Sequence, residues 1–310
     1  MTATSSEASA LLSLSNSLAD AIDRVGRSLV AVDARQHTPS TGIHWHEGVI
    51  VTADHTVERD SDITITLPDG STTKATVAGS DSTTDIAVLR ADGLSLPVAE
   101  IGDASSLKVG HLVVAVARPG EIGLSATMGA VSATGGAWRT WSGGRIDAFI
   151  RPDLTLYPGF SGGPLVDGSG RVVGLNTSGL SRSMPLAIPA STVNRVVEQL
   201  LTRGRVARGY LGLGMQPVRL PDGLVSSLSL SSPVGLIVVS VENGGPAEKA
   251  GILVGDVLIG LGDSGLSDAR DVQNLLDPDS VGKPVNARLV RGGALQEIAV
   301  TVGERPQRGE

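Results

Sequence analysis

The sequence predicts a mainly β protein in two units, a larger all-β domain followed by a small α+β module. Three observations carry this. Forty glycines and sixteen prolines are spread through 310 residues, a density that marks many short strands and turns. Apolar, β-branched runs of five to eight residues recur between those turns. The length is that of about two domains, at roughly 100–200 residues each. The core is expected to be aliphatic, because aromatics are 2% of the chain and hydrophobics 41%.

In chain order, residues 7–27 read as a helix. Leu11, Leu14, Leu18, Ile22, Val25 and Leu29 recur at three- and four-residue spacing. Such a stripe has to be buried, either on its own domain or between subunits. From residue 28 to about 190, "SLVAVDA", "GVIVTA", "DIAVLRA", "HLVVAVARPG", "SATMGAVSATGG", "RVVGLNT" and "MPLAIPA" read as strands. "LPDG" at 67–70 turns a hairpin between two alternating Thr/Ile and Thr/Val runs. The regular spacing points to antiparallel barrels or a sandwich. Residues 190–206 read as a helix, with Ser191 or Thr192 as its cap and Gly204 after its end. A boundary is expected near 204–208. Beyond it, "YLGLGMQPV", "GLIVVSV" and the end of "GGPAEKAGILVGDVLIGLGD" read as strands. "LSDARDVQNLLD" reads as a helix capped by Ser267 or Asp268, and residues 283–302 as a hairpin turning at Arg291, Gly292 and Gly293.

Composition excludes several functions. The net charge is −7 with no basic block, so a nucleic-acid partner is not expected, since phosphate binding needs clustered Lys and Arg. No cysteine is present, which removes disulfides, zinc thiolates and cysteine catalysis. No nucleotide loop of the G-x-x-x-x-G-K type occurs, and no cofactor or metal is expected. No stretch reaches the 18 or so apolar residues of a membrane span. The first basic residue, Arg24, follows Glu7, Asp20 and Asp23, the reverse of a secretory leader. As written, the chain reads as cytoplasmic; with an export signal removed, it would read as periplasmic.

"PGFSGGPLVDGSGRVVGLN", residues 158–176, places Ser161 among glycines just before an apolar strand. Glycines there let the backbone approach a ligand closely. A serine hydroxyl is a weak nucleophile until a base takes its proton. Of the five histidines, His37 lies in a polar stretch, His44 and His46 flank Trp45, and His111 opens an apolar strand. His55 ends "GVIVTA" and begins a turn, where a base is held rigidly. The base needs a carboxylate to orient its ring. Asp85 enters the apolar run "IAVLR", a costly place for an unpaired charge, while Asp81 nearby serves equally well as a turn aspartate.

"VTADHTV", "TDIAVLR" and "GFSGGPL", in the order His, Asp, Ser, resemble the catalytic segments of chymotrypsin-fold serine proteases. The closer resemblance is to the HtrA/Deg branch, supported by "RVVGLNTSG", "LAIPAS", "RGYLGL" and "GGPAEKAGILVGDVLIGLGD". The resemblance implies an N-terminal segment at 1–27 that builds oligomers, a chymotrypsin-like double β-barrel protease domain at 28–204 and a PDZ domain at 209–305. It implies His55 as general base, Asp85 as its orienter and Ser161 as nucleophile, with the backbone N–H groups of Gly159 and Ser161 as the oxyanion hole. Thr155 stands six residues before the nucleophile, where trypsin-like enzymes that cut after Lys or Arg carry aspartate. Together with Leu156, Asn176, Ser178 and Leu180 it would line a pocket for an aliphatic residue.

In the second unit the resemblance makes Tyr210, Leu211, Gly212 and Leu213 the loop that holds a peptide's terminal carboxylate, with a groove against the helix at 268–277. The implied function is an ATP-independent endopeptidase for unfolded or damaged polypeptides. It captures C-terminal peptides at the PDZ groove and works as a homo-oligomer, a trimer being favoured. The chain departs from the family at Phe160, where HtrA proteins have Asn, at Asp54, where a small residue is usual, and at "GIHWHEG", which replaces a Gly-Ser-rich approach. His44 and His46, two apart on a strand, would share a face. Phe160 cannot hydrogen-bond as Asn does: it either packs into an apolar slot and holds the loop another way or leaves the oxyanion hole misformed, and with Asp54 the latter motivates a second reading, a catalytically silent peptide scaffold or holdase. An α/β-hydrolase elbow, which "GFSGG" matches by letter, is contradicted by Pro164 and the strand that follows.

Overall fold

The computed structural model describes residues 5–36, 38–181, 183–276 and 280–305. His37 and the end of the helix expected at 268–277 lie outside them. The chain divides into two units, 1–206 and 207–310.

The first unit opens with helix α1 (Ser5–Gly26). Strands β1 (Leu29–Asp33), β2 (Ser40–His46), β3 (Val49–Thr52), β4 (Ile63–Thr66), β5 (Thr72–Asp81) and β6 (Ile86–Arg90) follow and close into an antiparallel barrel in the order β1-β2-β3-β6-β5-β4. A second barrel holds β7 (Leu112–Ala117), β8 (Ser125–Gly135), β11 (Phe149–Asp153), β12 (Pro164–Val166), β13 (Val172–Thr177) and β14 (Leu186–Pro189), ordered β11-β14-β13-β12-β7-β8. Between β8 and β11 a small hairpin pairs β9 (Trp138–Arg139) with β10 (Arg145–Ile146). Helix α2 (Ala190–Arg203) closes the unit.

The continuous apolar runs are explained by burial on both strand faces. In β7, Val113, Ala115 and Ala117 fill the second barrel, while Val114 and Val116 turn outward into a shared core. In β3, Ile50 points into the first barrel, and Val49 and Val51 point into that same shared core. The shared core takes residues from both barrels and Val193, Val196, Val197 and Leu200 of α2, spaced along one helix face. Each such side chain contributes about 1.5–3 kcal/mol on full burial. Strands that adjoin the turns of His55, Asp85 and Ser161 therefore belong to a frame buried on both faces.

Helix α1 splits its stripe. Leu18, Ile22 and Val25 pack on the shared core, while Leu11 and Leu12 stay 68% and 62% exposed. Neither Ser191 nor Thr192 caps α2: the helix begins at Ala190 after Pro189, with no side-chain cap. The Thr192 hydroxyl instead accepts from the Asp147 N–H at 2.8 Å. Gly204 takes the left-handed conformation that ends the helix.

The second unit contains β15 (Gly209–Tyr210), β16 (Leu213–Arg219), α3 (Asp222–Ser227), β17 (Val234–Val241), α4 (Pro246–Ala250), β18 (Val257–Leu261), β19 (Ser264–Gly265), α5 (Ala269–Leu275), β20 (Pro284–Arg291), β21 (Ala294–Thr301) and β22 (Gly303–Glu304). Its main sheet runs β16-β17-β18-β20-β21, so β16 is an edge. Asp268 caps α5 in a reciprocal box with Asp271. The sequence pattern gave no sign of α3.

Candidate active site

The base and its carboxylate come from adjacent strands of the first barrel. β3 pairs with β6, with Thr52 opposite Ala87. The residues just outside that pair are thus brought together: His55 in the turn after β3, and Asp85 before β6. Asp85 sits at φ +59°, a left-handed conformation that aspartate tolerates better than most residues. Its carboxylate accepts from His55 Nδ1, with both oxygens at 2.9 Å, and from the His55 backbone N–H at 2.9 Å. The Thr177 hydroxyl donates a short hydrogen bond to Oδ2. The Asp85 side chain is 5% exposed against 33% for His55. A buried carboxylate thus holds an open imidazole by its inner nitrogen. Asp81 does the other work that the sequence left open: its carboxylate accepts from the Thr83 and Thr84 hydroxyls and builds the turn before Asp85.

Ser161 comes from the second barrel, in the turn before β12. Its Oγ lies 3.0 Å from Ser178 Oγ and accepts from the Ser178 N–H at 3.3 Å. Ser178 Oγ lies 3.4 Å from His55 Nε2. The Ser178 hydroxyl therefore stands between Ser161 and His55. Tyr157, Pro158, Gly159 and Phe160 form a turn closed by Phe160 N–H donating to Tyr157 C=O at 3.1 Å. Gly159 at φ +89° gives this turn the positive φ that type II requires. Among the described residues, neither the Gly159 nor the Ser161 N–H donates to a protein acceptor, so both are free for a ligand.

Phe160 does not occupy the cleft. It is 3% exposed, packs inside the second barrel with Val113, Ile150 and Leu165, and meets the Tyr157 ring edge-on at 5.9 Å. The apolar anchor leaves the backbone N–H groups uncovered.

The expected pocket residues separate. Leu156 packs on the core of the second barrel, and Thr155 is exposed, its C=O accepting from the Thr127 hydroxyl at 2.9 Å. Leu180 packs on the shared core. Asn176 is fully buried and donates from Nδ2 to Pro164 C=O at 2.7 Å, so its side chain serves the wall. Ser178 is turned to Ser161 and His55. Two residues in this stretch went unrecognised in the sequence. Thr177 anchors Asp85 and also accepts from the Gly179 N–H at 2.8 Å. Gly179 is required because a Cβ there would lie 2.7 Å from both Asp85 Oδ2 and His55 Nδ1. Nothing local announces either role; a hydroxyl and a glycine after an apolar strand are common.

His44 and His46 do not share a face. A bulge falls between them in the β2–β3 pairing, His44 is buried with Nδ1 3.1 Å from Pro97 C=O, and His46 is exposed. Among the described residues, no group of three or more His, Asp or Glu is placed to hold a metal ion. Trp45 packs in the shared core and donates to Asn194 Oδ1 at 2.8 Å.

Asp54, beside His55, has its carboxyl raised from the ordinary 3.8, chiefly by burial, with the Asp85 and Asp81 charges adding and a Ser80 hydrogen bond opposing. The folded state then binds this proton more readily than the unfolded chain. Stability is fully present below the unfolded value and falls as pH rises through the folded one. Asp54→Asn mimics the protonated form. It is expected to raise Tm at pH 7, with the gain disappearing as pH drops below about 3.8. Thermal melts of both proteins across pH 3–8 check this; a gain independent of pH would refute it.

In the second unit, Tyr210 pairs with Gly303, Leu211 is buried, and Gly212 is at φ +75°. The C=O groups of Leu211 and Gly212 accept from Ala247 and Glu242 N–H, each at 2.9 Å, while their own N–H groups meet no acceptor among the described residues. Leu213 and Met215 of edge strand β16, and Leu275 of α5, pack partly buried against the unit's core. A free strand edge with outward N–H groups at one end is the arrangement that receives an added peptide strand.

Residues 40–175 match the family described as trypsin-like peptidase domain, and residues 209–302 match the PDZ domain family. A probable periplasmic serine endoprotease, DegP-like, from Pseudomonas savastanoi pv. phaseolicola is 36% identical over 90% of this chain and 59% of its own length. The chain thus spans less than two thirds of that relative. A structure described as the HtrA-type protease AlgW with tripeptide is 30% identical, with a TM-score of 0.73 over 94% of this chain and 98% of that one. The serine endoprotease from Yersinia pestis is 27% identical, with a TM-score of 0.73 over 93% of this chain and 98% of the other.

Proposed function

The chain belongs to the HtrA-type serine proteases, and from that membership we propose that it is an ATP-independent serine endopeptidase acting on unfolded or damaged polypeptides. The observation that carries the reading is the His55 ring held through Nδ1 by the buried Asp85 carboxylate at 2.9 Å, in the cleft that also holds Ser161. Ser161 Oγ attacks the scissile carbonyl carbon while its proton passes to His55 Nε2, the Ser178 hydroxyl turning aside as the substrate enters. Asp85 stabilises the imidazolium that forms. The Gly159 and Ser161 N–H groups receive the negative oxygen of the tetrahedral intermediate. His55 then protonates the leaving amine, and water, deprotonated by the same ring, releases the acyl group. Degradation of β-casein by the purified chain without ATP, lost in His55→Ala, tests the reading.

Thr155, exposed and uncharged where trypsin-like enzymes that cut after Lys or Arg carry aspartate, offers no counter-charge to a basic residue, and we propose an aliphatic residue before the cut bond. In peptides differing only there, kcat/KM is expected to be at least about tenfold higher for Val or Ala than for Lys or Arg, as 1.4 kcal/mol of pocket contact gives. Preferred cleavage after a basic residue would reject the pocket assignment. The second unit is assigned to capture of C-terminal peptides, by β-strand addition at β16. Exposed Leu11 and Leu12 on α1 support self-association, a trimer being the form we propose; sedimentation showing an active monomer would reject it. Among the described residues no helix is long and apolar enough to cross a membrane. The name of the Pseudomonas relative supports the periplasmic alternative over the cytoplasmic expectation. Burial of Phe160 away from the cleft weighs against the silent-scaffold reading.

A further inference from the structure

We infer that Thr41 is the positioning residue of the oxyanion hole, holding the turn that Phe160 cannot hold with a polar side chain. The inference rests on the endopeptidase reading above.

Thr41 lies on β2 of the first barrel and is 0% exposed. Its hydroxyl donates to Gly159 C=O at 2.7 Å and accepts from the Arg118 N–H at 2.9 Å. Its own N–H donates to Ser161 C=O at 3.3 Å. Its C=O is occupied by the Thr52 hydroxyl at 2.7 Å. All of its polar atoms are therefore committed, and two of them face the nucleophile turn.

Peptide planarity turns these contacts into control of the hole. Each peptide unit is rigid, so fixing its C=O fixes its N–H. The Gly159–Phe160 unit is pinned at both ends, its C=O by the Thr41 hydroxyl and its N–H by Tyr157 C=O. The Ser161–Gly162 unit is pinned likewise, its C=O by the Thr41 N–H and its N–H by Asn176 C=O at 2.9 Å. The unit between them carries the Ser161 N–H, one of the two proposed oxyanion donors. With both neighbours fixed, it has little freedom to rotate. The Gly159–Phe160 unit also sets ψ of Gly159, the residue whose N–H is the other donor. Thr41 thus ties the first barrel, which carries His55 and Asp85, to the turn that carries Ser161. Arg118 extends the tie: its backbone meets Thr41, and its guanidinium donates to Gly26 C=O at 3.0 Å and Leu29 C=O at 3.1 Å. The end of α1 is thereby connected to the oxyanion turn through one buried hydroxyl.

The test is Thr41→Val, which keeps the shape and removes the hydroxyl, beside Thr41→Ser, which keeps the hydroxyl. Peptide cleavage is expected to lose about 10- to 100-fold in kcat in Thr41→Val, the scale of a misplaced catalytic group. KM should stay within about twofold, the loss being confined to the transition state. Thr41→Ser should recover most of the rate. Hydrogen exchange over residues 157–163 gives a readout that does not need activity, and Thr41→Val should raise it while the rest of the first unit stays protected. Full kcat in a folded Thr41→Val, failure of Thr41→Ser to recover it, or unchanged exchange at 157–163 would overturn the inference. If wild type itself is inactive while exchange responds as expected, the endopeptidase reading fails and the clamp stands.

Discussion

Ser161→Ala is expected to lower kcat for β-casein and peptide cleavage by about 10⁶-fold, the loss seen when the nucleophile of a serine triad is removed. Among the described residues, the one other hydroxyl within reach of the base is that of Ser178. Its Oγ is within 3.4 Å of His55 Nε2, but it lies outside the turn that carries the free Gly159 and Ser161 N–H groups. The fold should be untouched, since removing Oγ breaks only its contacts with Ser178. Peptide binding by the second unit should therefore persist. Cleavage rates with circular dichroism as a folding control check this; a variant retaining more than about a thousandth of the wild-type rate would contradict it.

Asp85→Asn is expected to cost about 10⁴-fold in kcat near neutral pH, by reversing the ring tautomer rather than by moving the ring. The Asp85 carboxylate faces donors only: His55 Nδ1, the His55 N–H and the Thr177 hydroxyl. An amide has one acceptor oxygen for them and must turn its NH₂ toward at least one. Facing His55, that NH₂ makes Nδ1 an acceptor and places the ring proton on Nε2, where the Ser161 proton has to go. The steady-state rate and the imidazole tautomer read by nitrogen NMR test this together. An Asp85→Asn protein of near wild-type rate would remove Asp85 from the mechanism.

The sequence made some of this plain and concealed the rest for physical reasons. "LVVAVA" and "VIVT" read as strands because both faces are buried, which leaves an unbroken apolar run. His55, Asp85 and Ser161 each stood at a strand end or a glycine-rich turn, where a reactive group is held rigidly. The bulge between His44 and His46 could not be read, since alternation alone assigns them one face. Thr177, Gly179 and Thr41 act across the fold: Thr41 and Gly159 are 118 positions apart, and Thr177 and Asp85 are 92 apart. A buried threonine at a strand end carries no local mark of such a partner. In the sequence Phe160 left two outcomes open, an apolar anchor for the oxyanion loop or a defect in it. Packing decides for the anchor, a choice that needed the second barrel closed around the ring.

The most direct measurement is reaction of the intact chain with a fluorophosphonate probe, the labelled residue being located by mass spectrometry. Covalent capture needs an activated serine and donors for the developing oxyanion at the same time. Labelling at Ser161, absent from Ser161→Ala and strongly slowed in Asp85→Asn, is the predicted result. A folded protein that still binds C-terminal peptides but takes no label at Ser161 would contradict the account of this cleft as a working active site.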